Sequence, residues 1–148
     1  MINLLQNPEL KPGMQGVPMY YSVTGPFTYD DFVIDGYRTC SITMPNGKMA
    51  MAGYDDFLNI AGKKNLQLGL DIRAIDISGL FFVVEFYNSD RDLINDVKKN
   101  VTSLVTDNFD EVFDSYAIPQ NAAYAKVQCA FFNKVTACTF YNPRVYAV

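Results

Sequence analysis

The chain contains no histidine, and that absence removes Ser-His-Asp and Cys-His catalysis, His-ligated zinc and any imidazole pH switch. Cysteine is scarce. Cys40, Cys129 and Cys138 are odd in number and show no CxxC spacing, which argues against a paired disulfide framework and against zinc, and predicts buried thiols acting as small hydrophobes. Clustered positive charge is missing too: 12 Lys and Arg against 16 Asp and Glu give a net charge of −4, with only pairs such as Lys63-Lys64 and Lys98-Lys99. No electrostatic footprint for nucleic acid exists in such a chain. The apolar run Leu80 to Val84 is closed by Glu85, far short of the ~18 residues a membrane span needs, so no membrane insertion is expected. The opening residues, Met1 to Pro8, lack a basic start and a long apolar run, which predicts no secretory signal and synthesis in the cytoplasm; work outside a cell would then imply release by lysis, on a particle, or from a form that has lost its leader.

At 148 residues, 49% hydrophobic and 19% charged, the chain reads as one globular domain over 1–148 that buries roughly 68–70% of its unfolded surface without a metal or disulfide staple. No internal repeat, low-complexity tract or linker interrupts it. Strand signals dominate. Leu66, Leu68, Leu70, Ile72 and Ala74 alternate with Gln67, Gly69, Asp71, Arg73 and Ile75; after a short join at Ser78-Gly79, Leu80, Phe82, Val84 and Phe86 alternate with Phe81, Val83, Glu85 and Tyr87. Val127, Cys129 and Phe131 alternate with Lys126, Gln128 and Ala130, and Thr136, Cys138 and Phe140 follow beyond Asn133-Lys134. A two-residue hairpin there would set Cys129 opposite Cys138; a jelly roll would instead send the two runs to opposite sheets, with both thiols facing the core from opposite walls. Shorter strands are expected over Met19 to Thr24, Arg38 to Met44 and Lys48 to Ala52, with Asn46-Gly47 as a hairpin turn.

From Asp90 to Tyr116 the apolar positions also fit a helical stripe, but β-branched residues, many Asn and Asp, and the lack of a capped end favour strands. Tyr54 to Ala61 reads as a short helix, with Asp55 as N-cap and Gly62 as its stop. Asp30-Asp31 and Asp55-Asp56 read as loop and cap residues, and Asp107 to Glu111 as a polar turn. The expected fold class is all-β, a two-sheet β-sandwich.

The order of these signals resembles the jelly-roll carbohydrate-binding modules found beside glycoside hydrolases and in phage tail and surface proteins. The opening Asn3 to Leu10 is similar to that family's Asn-Leu-Leu-x-Asn-Gly-x-Phe start, and Tyr20-Tyr21 stands where the family usually has Gly-Trp. Leu66 to Ala74 resembles a Tyr-x-Leu-x-Phe-x-Val-Arg-Ala strand with Arg73-Ala74 intact, and Phe82 to Asn88 the strand that follows it. Thr106 to Phe109 resembles Thr-x-x-Trp, Ala117 to Val127 an Ile-Pro-x-Gly-Ala-x-Tyr-Ala segment, and Cys138 to Val145 the closing strand. The resemblance covers nearly the whole chain and implies a jelly-roll sandwich. Family members often hold a structural calcium, but the corresponding positions here are Lys11 and Tyr141, neither a carboxylate, so no metal and no cofactor is expected. The tryptophan that the family favours in its sugar platforms is absent.

A sugar site on a sheet needs aromatic faces for the apolar side of a pyranose and planar polar groups for its hydroxyls. The expected ligand-binding set is Arg73, Glu85, Tyr87, Tyr124, Lys126 and Gln128, on one outward face if their strands neighbour each other, with Tyr20, Tyr37 and Tyr54 near its edges. No catalytic residue is assigned, and no enzymatic activity is expected. The resemblance implies a recognition or attachment module, on a phage virion surface or tail, that binds glycans or a cell surface. The alternative is a structural decoration or assembly protein that binds other virion subunits through its exposed aromatics and no sugar. Its partners are then glycans or other surface proteins, with homo-oligomerisation left open.

Overall fold

The computed structural model describes residues 1–148 apart from the side chains of Asp30 and Asp31, so the reading of that acidic pair lies outside the described residues. In chain order the strands are β1 (Tyr21–Thr24), β2 (Phe27–Ile34), β3 (Tyr37–Met44), β4 (Met49–Tyr54), β5 (Leu58–Asn59), β6 (Asn65–Arg73), β7 (Asp76–Ile77), β8 (Leu80–Tyr87), β9 (Leu93–Asn100), β10 (Asp110–Ala117), β11 (Tyr124–Phe132) and β12 (Val135–Ala147). The only helical turns among the described residues are short 3-10 pieces at Met14–Gly16 and Thr102–Leu104. Among the described residues no helix is long and apolar enough to cross a membrane. The strands form two antiparallel sheets. The first has the order β1-β4-β11-β8-β9, with β5 also on β11; the second has the order β10-β6-β12-β3-β2, with β7 also on β12.

Two-residue alternation decides which face each strand buries. Leu66, Leu68, Leu70 and Ile72 of β6 and Leu80, Phe82, Val84 and Phe86 of β8 are buried, as are Val127 and Phe131 of β11, and Cys129 packs against the same core. Three rings cross-link the sheets: Phe131 lies 5.8 Å from Phe27 and 5.9 Å from Phe140, with Phe27 and Phe140 6.1 Å apart. Such aromatic pairs add roughly 0.5–1.5 kcal/mol each beyond their buried area. The strand preference over residues 90–116 holds, as β9 and β10. The helix expected at Tyr54–Ala61 does not form. Leu58 and Ile60 are both buried at a spacing of two, β5 pairs with β11, and Asp55 accepts a hydrogen bond from the Ser22 hydroxyl rather than capping a helix. β2 has no counterpart among the expected strands, because the polar pair at 30–31 interrupts its alternation.

Short joins mislead about pairing. Asn46-Gly47, Ser78-Gly79 and Asn133-Lys134 each look like hairpin turns, yet β3 and β4, β7 and β8, and β11 and β12 lie in different sheets. These turns are corners that carry the chain across the sandwich, and they bind one another. The Gly47 amide donates to Asn133 Oδ1, the Asn133 amide to the Lys48 carbonyl, the Ser78 amide to the Lys134 carbonyl and the Phe132 amide to the Gly79 carbonyl. Cys129 and Cys138 accordingly face the core from opposite walls. Burial pushes both thiols up to about 12.

The N-terminal segment closes one end of the sandwich. Asn3 donates to the Pro143 carbonyl and accepts from the Val145 amide, Leu5 and Leu10 are buried, and the Tyr54 hydroxyl accepts from the Gln6 amide. Pro143, which has no amide hydrogen, sits where the β12–β6 register shifts between Tyr141 and Arg144, a bulge that tolerates it. An apolar cavity of about 90 Å³ remains between the sheets, lined by Leu5, Leu10, Ala52, Leu70, Phe82 and Phe140 among others.

Candidate functional site

β8 and β11 pair at the middle of the first sheet, and their register assembles most of the expected site. Tyr87 faces Tyr124, Glu85 faces Lys126, and Gln128 lies between Val83 on one side and Gly53 of β4 on the other. All these residues except the central Val83 are partly exposed on the outer face, because their immediate neighbours along each strand fill the core. Burial, then the Glu85 carboxylate beside it, holds the Tyr87 phenol above its ordinary range.

Arg73 does not join them. β6 pairs with β10 and β12, so Arg73 lies on the outer face of the opposite sheet, opposite Thr139 and with its guanidinium carbon 5.7 Å from the centre of the Phe109 ring. The expectation fails because the short join at Ser78-Gly79 implies neighbouring strands, whereas the chain turns a corner there. Asp71 and Gln67 share the Arg73 face. There Asp71 takes a two-point contact from Arg144, at 3.1 and 3.3 Å, and Glu111 takes a further one. Gly69 leaves room for that arginine, since a Cβ there would stand 3.2 Å from Arg144 Cγ. This ion cluster clamps three strands of the second sheet. Of the expected edge tyrosines, Tyr20 and Tyr37 do not frame the site, and Tyr54 only borders it. Tyr54 points inward and is buried, with Tyr20 and Tyr21 packed on it, and Tyr37 belongs to β3 of the second sheet, 6.1 Å from Tyr141.

On the first sheet's outer face lies a groove of about 300 Å³ lined by Ser22, Thr24, Met51, Gly53, Tyr54, Asp55, Glu85, Lys126, Val127 and Gln128. Gly53 is its floor. It sits in a cross-strand row with Ser22 and Gln128, and a Cβ at this position would meet Gln128 Cβ at 3.2 Å. A glycine inside a strand weakens the sheet and marks a place where something approaches the backbone closely.

Beside the groove stands a ring cluster that sequence reasoning misses in part. Phe57 lies 5.0 Å from Tyr87 and 5.9 Å from Tyr124, both edge-on. Arg91 places its guanidinium carbon 4.7 Å from the Phe57 centroid and 5.0 Å from that of Tyr124, and Lys126 Nζ is 5.3 Å from the Phe57 centroid. Phe57 is hidden in the sequence inside an apparent helix. Arg91 belongs to the β8–β9 turn, where Asn88 Oδ1 accepts from the Asp90 and Asp92 amides; nothing in the local sequence says which face that turn overhangs.

Among the described residues, no three His, Cys, Asp or Glu side chains gather as a metal-binding set. Asp107 to Glu111 includes a polar turn in which the Thr106 hydroxyl donates to Asp110 at 2.6 Å and accepts from the Asn108 amide.

No protein-family profile matches the chain, and no curated protein matches it. Solved structures do. A family 61 carbohydrate-binding module in complex with β-1,4-galactotriose is 9% identical, with a TM-score of 0.60 over 100% of both chains. The xylan-binding domain from Paenibacillus barcinonensis Xyn10C, a family 22 module, is 15% identical, with a TM-score of 0.57 over 99% of this chain and 95% of that one. The enzymatically active domain of tailspike protein 4 of bacteriophage CBA120 is 14% identical, with a TM-score of 0.73 over 99% of this chain; the match spans only 22% of the tailspike chain. These likenesses establish the fold as the jelly-roll β-sandwich of carbohydrate-binding modules, as the sequence motifs imply.

Proposed function

We propose that this protein is a non-catalytic glycan-recognition module whose site is the outer face of the first sheet. The observation that carries the reading is the groove: a polar cleft with a glycine floor, adjoining the Phe57, Tyr87 and Tyr124 rings. A pyranose has an apolar C–H face and a rim of hydroxyls. The rings supply the first surface, and Glu85, Gln128, Asp55 and Ser22 supply donors and acceptors for the second. At about 300 Å³ the groove stands at the lower end of ligand-site volumes, which suits one or two sugar units held weakly. The fold shared with carbohydrate-binding modules supports the reading, and the tailspike likeness supports a place on a phage particle. On such a particle many copies would convert weak single contacts into avidity.

The test is binding to a glycan array and to soluble polysaccharides in affinity electrophoresis, with Tyr87→Ala and Gln128→Ala measured beside the parent. Both substitutions lie on the outer face, so melting should be nearly unchanged while binding weakens about tenfold or more. Unaltered binding in both variants, to a glycan the parent holds, would remove the site. Absence of any glycan binding, together with stable association with other virion proteins, would favour the assembly reading.

A further inference from the structure

The groove's aromatic end carries two cations that no carboxylate answers. Arg91 and Lys126 both lie over Phe57, and neither has an anion within ion-pair distance among the described residues, although ion pairs form elsewhere through Lys98, Lys99, Lys134 and Arg144.

The surrounding carboxylates do not neutralise these two cations. Asp90 and Asp92 flank Arg91 in its turn and Glu85 faces Lys126 across the strands, yet none comes within ion-pair distance of either. Arg91 is also held at a backbone φ of 63°, in the left-handed region, by the Asn88 turn. A non-glycine residue there carries a conformational cost. Two like charges 4.7 and 5.3 Å from one ring centre repel each other, and an anion brought near both relieves that repulsion. A guanidinium grips a carboxylate at two points, and an ammonium adds a point charge.

We infer that the site selects sugars bearing a carboxylate, with Arg91 and Lys126 as the specificity-determining residues; this rests on the glycan-binding reading above. The sugar ring lies against Tyr87, beside the Tyr124 ring that Arg91 caps, and its carboxylate reaches the two cations. Uronate polymers and glycans capped by an acidic nine-carbon sugar share this chemistry.

The experiment compares matched pairs by calorimetry: polygalacturonate against its methyl ester, and sialyllactose against lactose, with neutral galactan and xylan beside them. The acid member of at least one pair should bind about tenfold tighter than its neutral counterpart, and the preference should shrink between about 50 and about 500 mM NaCl. Arg91→Gly and Lys126→Gln should each erase most of that preference. Glycine accepts the left-handed φ without a Cβ penalty, so Arg91→Gly should keep the parent's melting temperature. Equal binding within both pairs, or binding to neutral glycans alone, would overturn the selectivity and leave the glycan reading standing. An acid preference unchanged in both variants would overturn the assignment to these cations. Binding to no glycan on the array would overturn both readings.

Discussion

Gly53→Val separates the groove from the fold that carries it. Gly53 has no positive φ, so its extended backbone accepts a β-branched residue. Replacing glycine restricts the unfolded chain and stabilises by about 0.4–1 kcal/mol, and valine's strand preference adds up to about 1 kcal/mol. Against this stands the approach of the new Cβ to Gln128 Cβ at 3.2 Å and to the Val127 carbonyl at 3.6 Å. Gln128 Cβ is fixed by its own backbone, so relief comes from the two strands parting by a few tenths of an ångström, costing about 1–3 kcal/mol. The terms nearly cancel. Net stability should stay within about 1 kcal/mol, or about 2–4 °C in melting temperature for a chain of this size. The groove floor, however, is then filled by a branched side chain, and glycan binding should fall about tenfold or more. Thermal melting followed by circular dichroism and affinity electrophoresis on the same preparation test both halves. Native melting with native binding would refute the placement of the site. A loss of melting temperature beyond about 10 °C would show that the contact with Gln128 has no room to relax.

Two further outcomes follow from the core. Ala52 lines the 90 Å³ cavity between the sheets, and Ala52→Val adds two methyl groups there, which should stabilise by about 1 kcal/mol, bounded by the roughly 2 kcal/mol that such a cavity costs; a lowered urea midpoint would show the space is needed. Stability should also fall at alkaline pH. Cys138 holds its proton up to about 12 in the fold, against 9.0 for an ordinary thiol, so the unfolded chain releases the proton first and the contribution, complete below pH 9, is lost between pH 9 and 12. The loss from this thiol reaches about 2 kcal/mol at about pH 10.5. Urea midpoints measured under reductant from about pH 7 to about 10.5 should drop for the parent and less for Cys138→Ala; a flat parent profile would refute the burial argument.

Local sequence determined the strands and their buried faces. Leu66 to Ile72, Leu80 to Phe86 and Val127 to Phe131 alternate with a period of two, and a strand with one face in a core has no other way to satisfy that pattern. It also brought Glu85, Tyr87, Tyr124, Lys126 and Gln128 to the outside, since each follows directly from its neighbours pointing in. Sheet membership was not legible. Asn46-Gly47, Ser78-Gly79 and Asn133-Lys134 have the chemistry of tight turns, and a tight turn looks the same locally whether it returns the strand to its own sheet or crosses to the opposite one. The choice rests on contacts between corners far apart in the chain, such as the Asn133 amide on the Lys48 carbonyl, and on three rings from β2, β11 and β12 meeting in the core. That choice removed Arg73 from the site. It added Phe57, Arg91 and the Gly53 floor, whose partners lie on strands and turns that only the packed sandwich brings together.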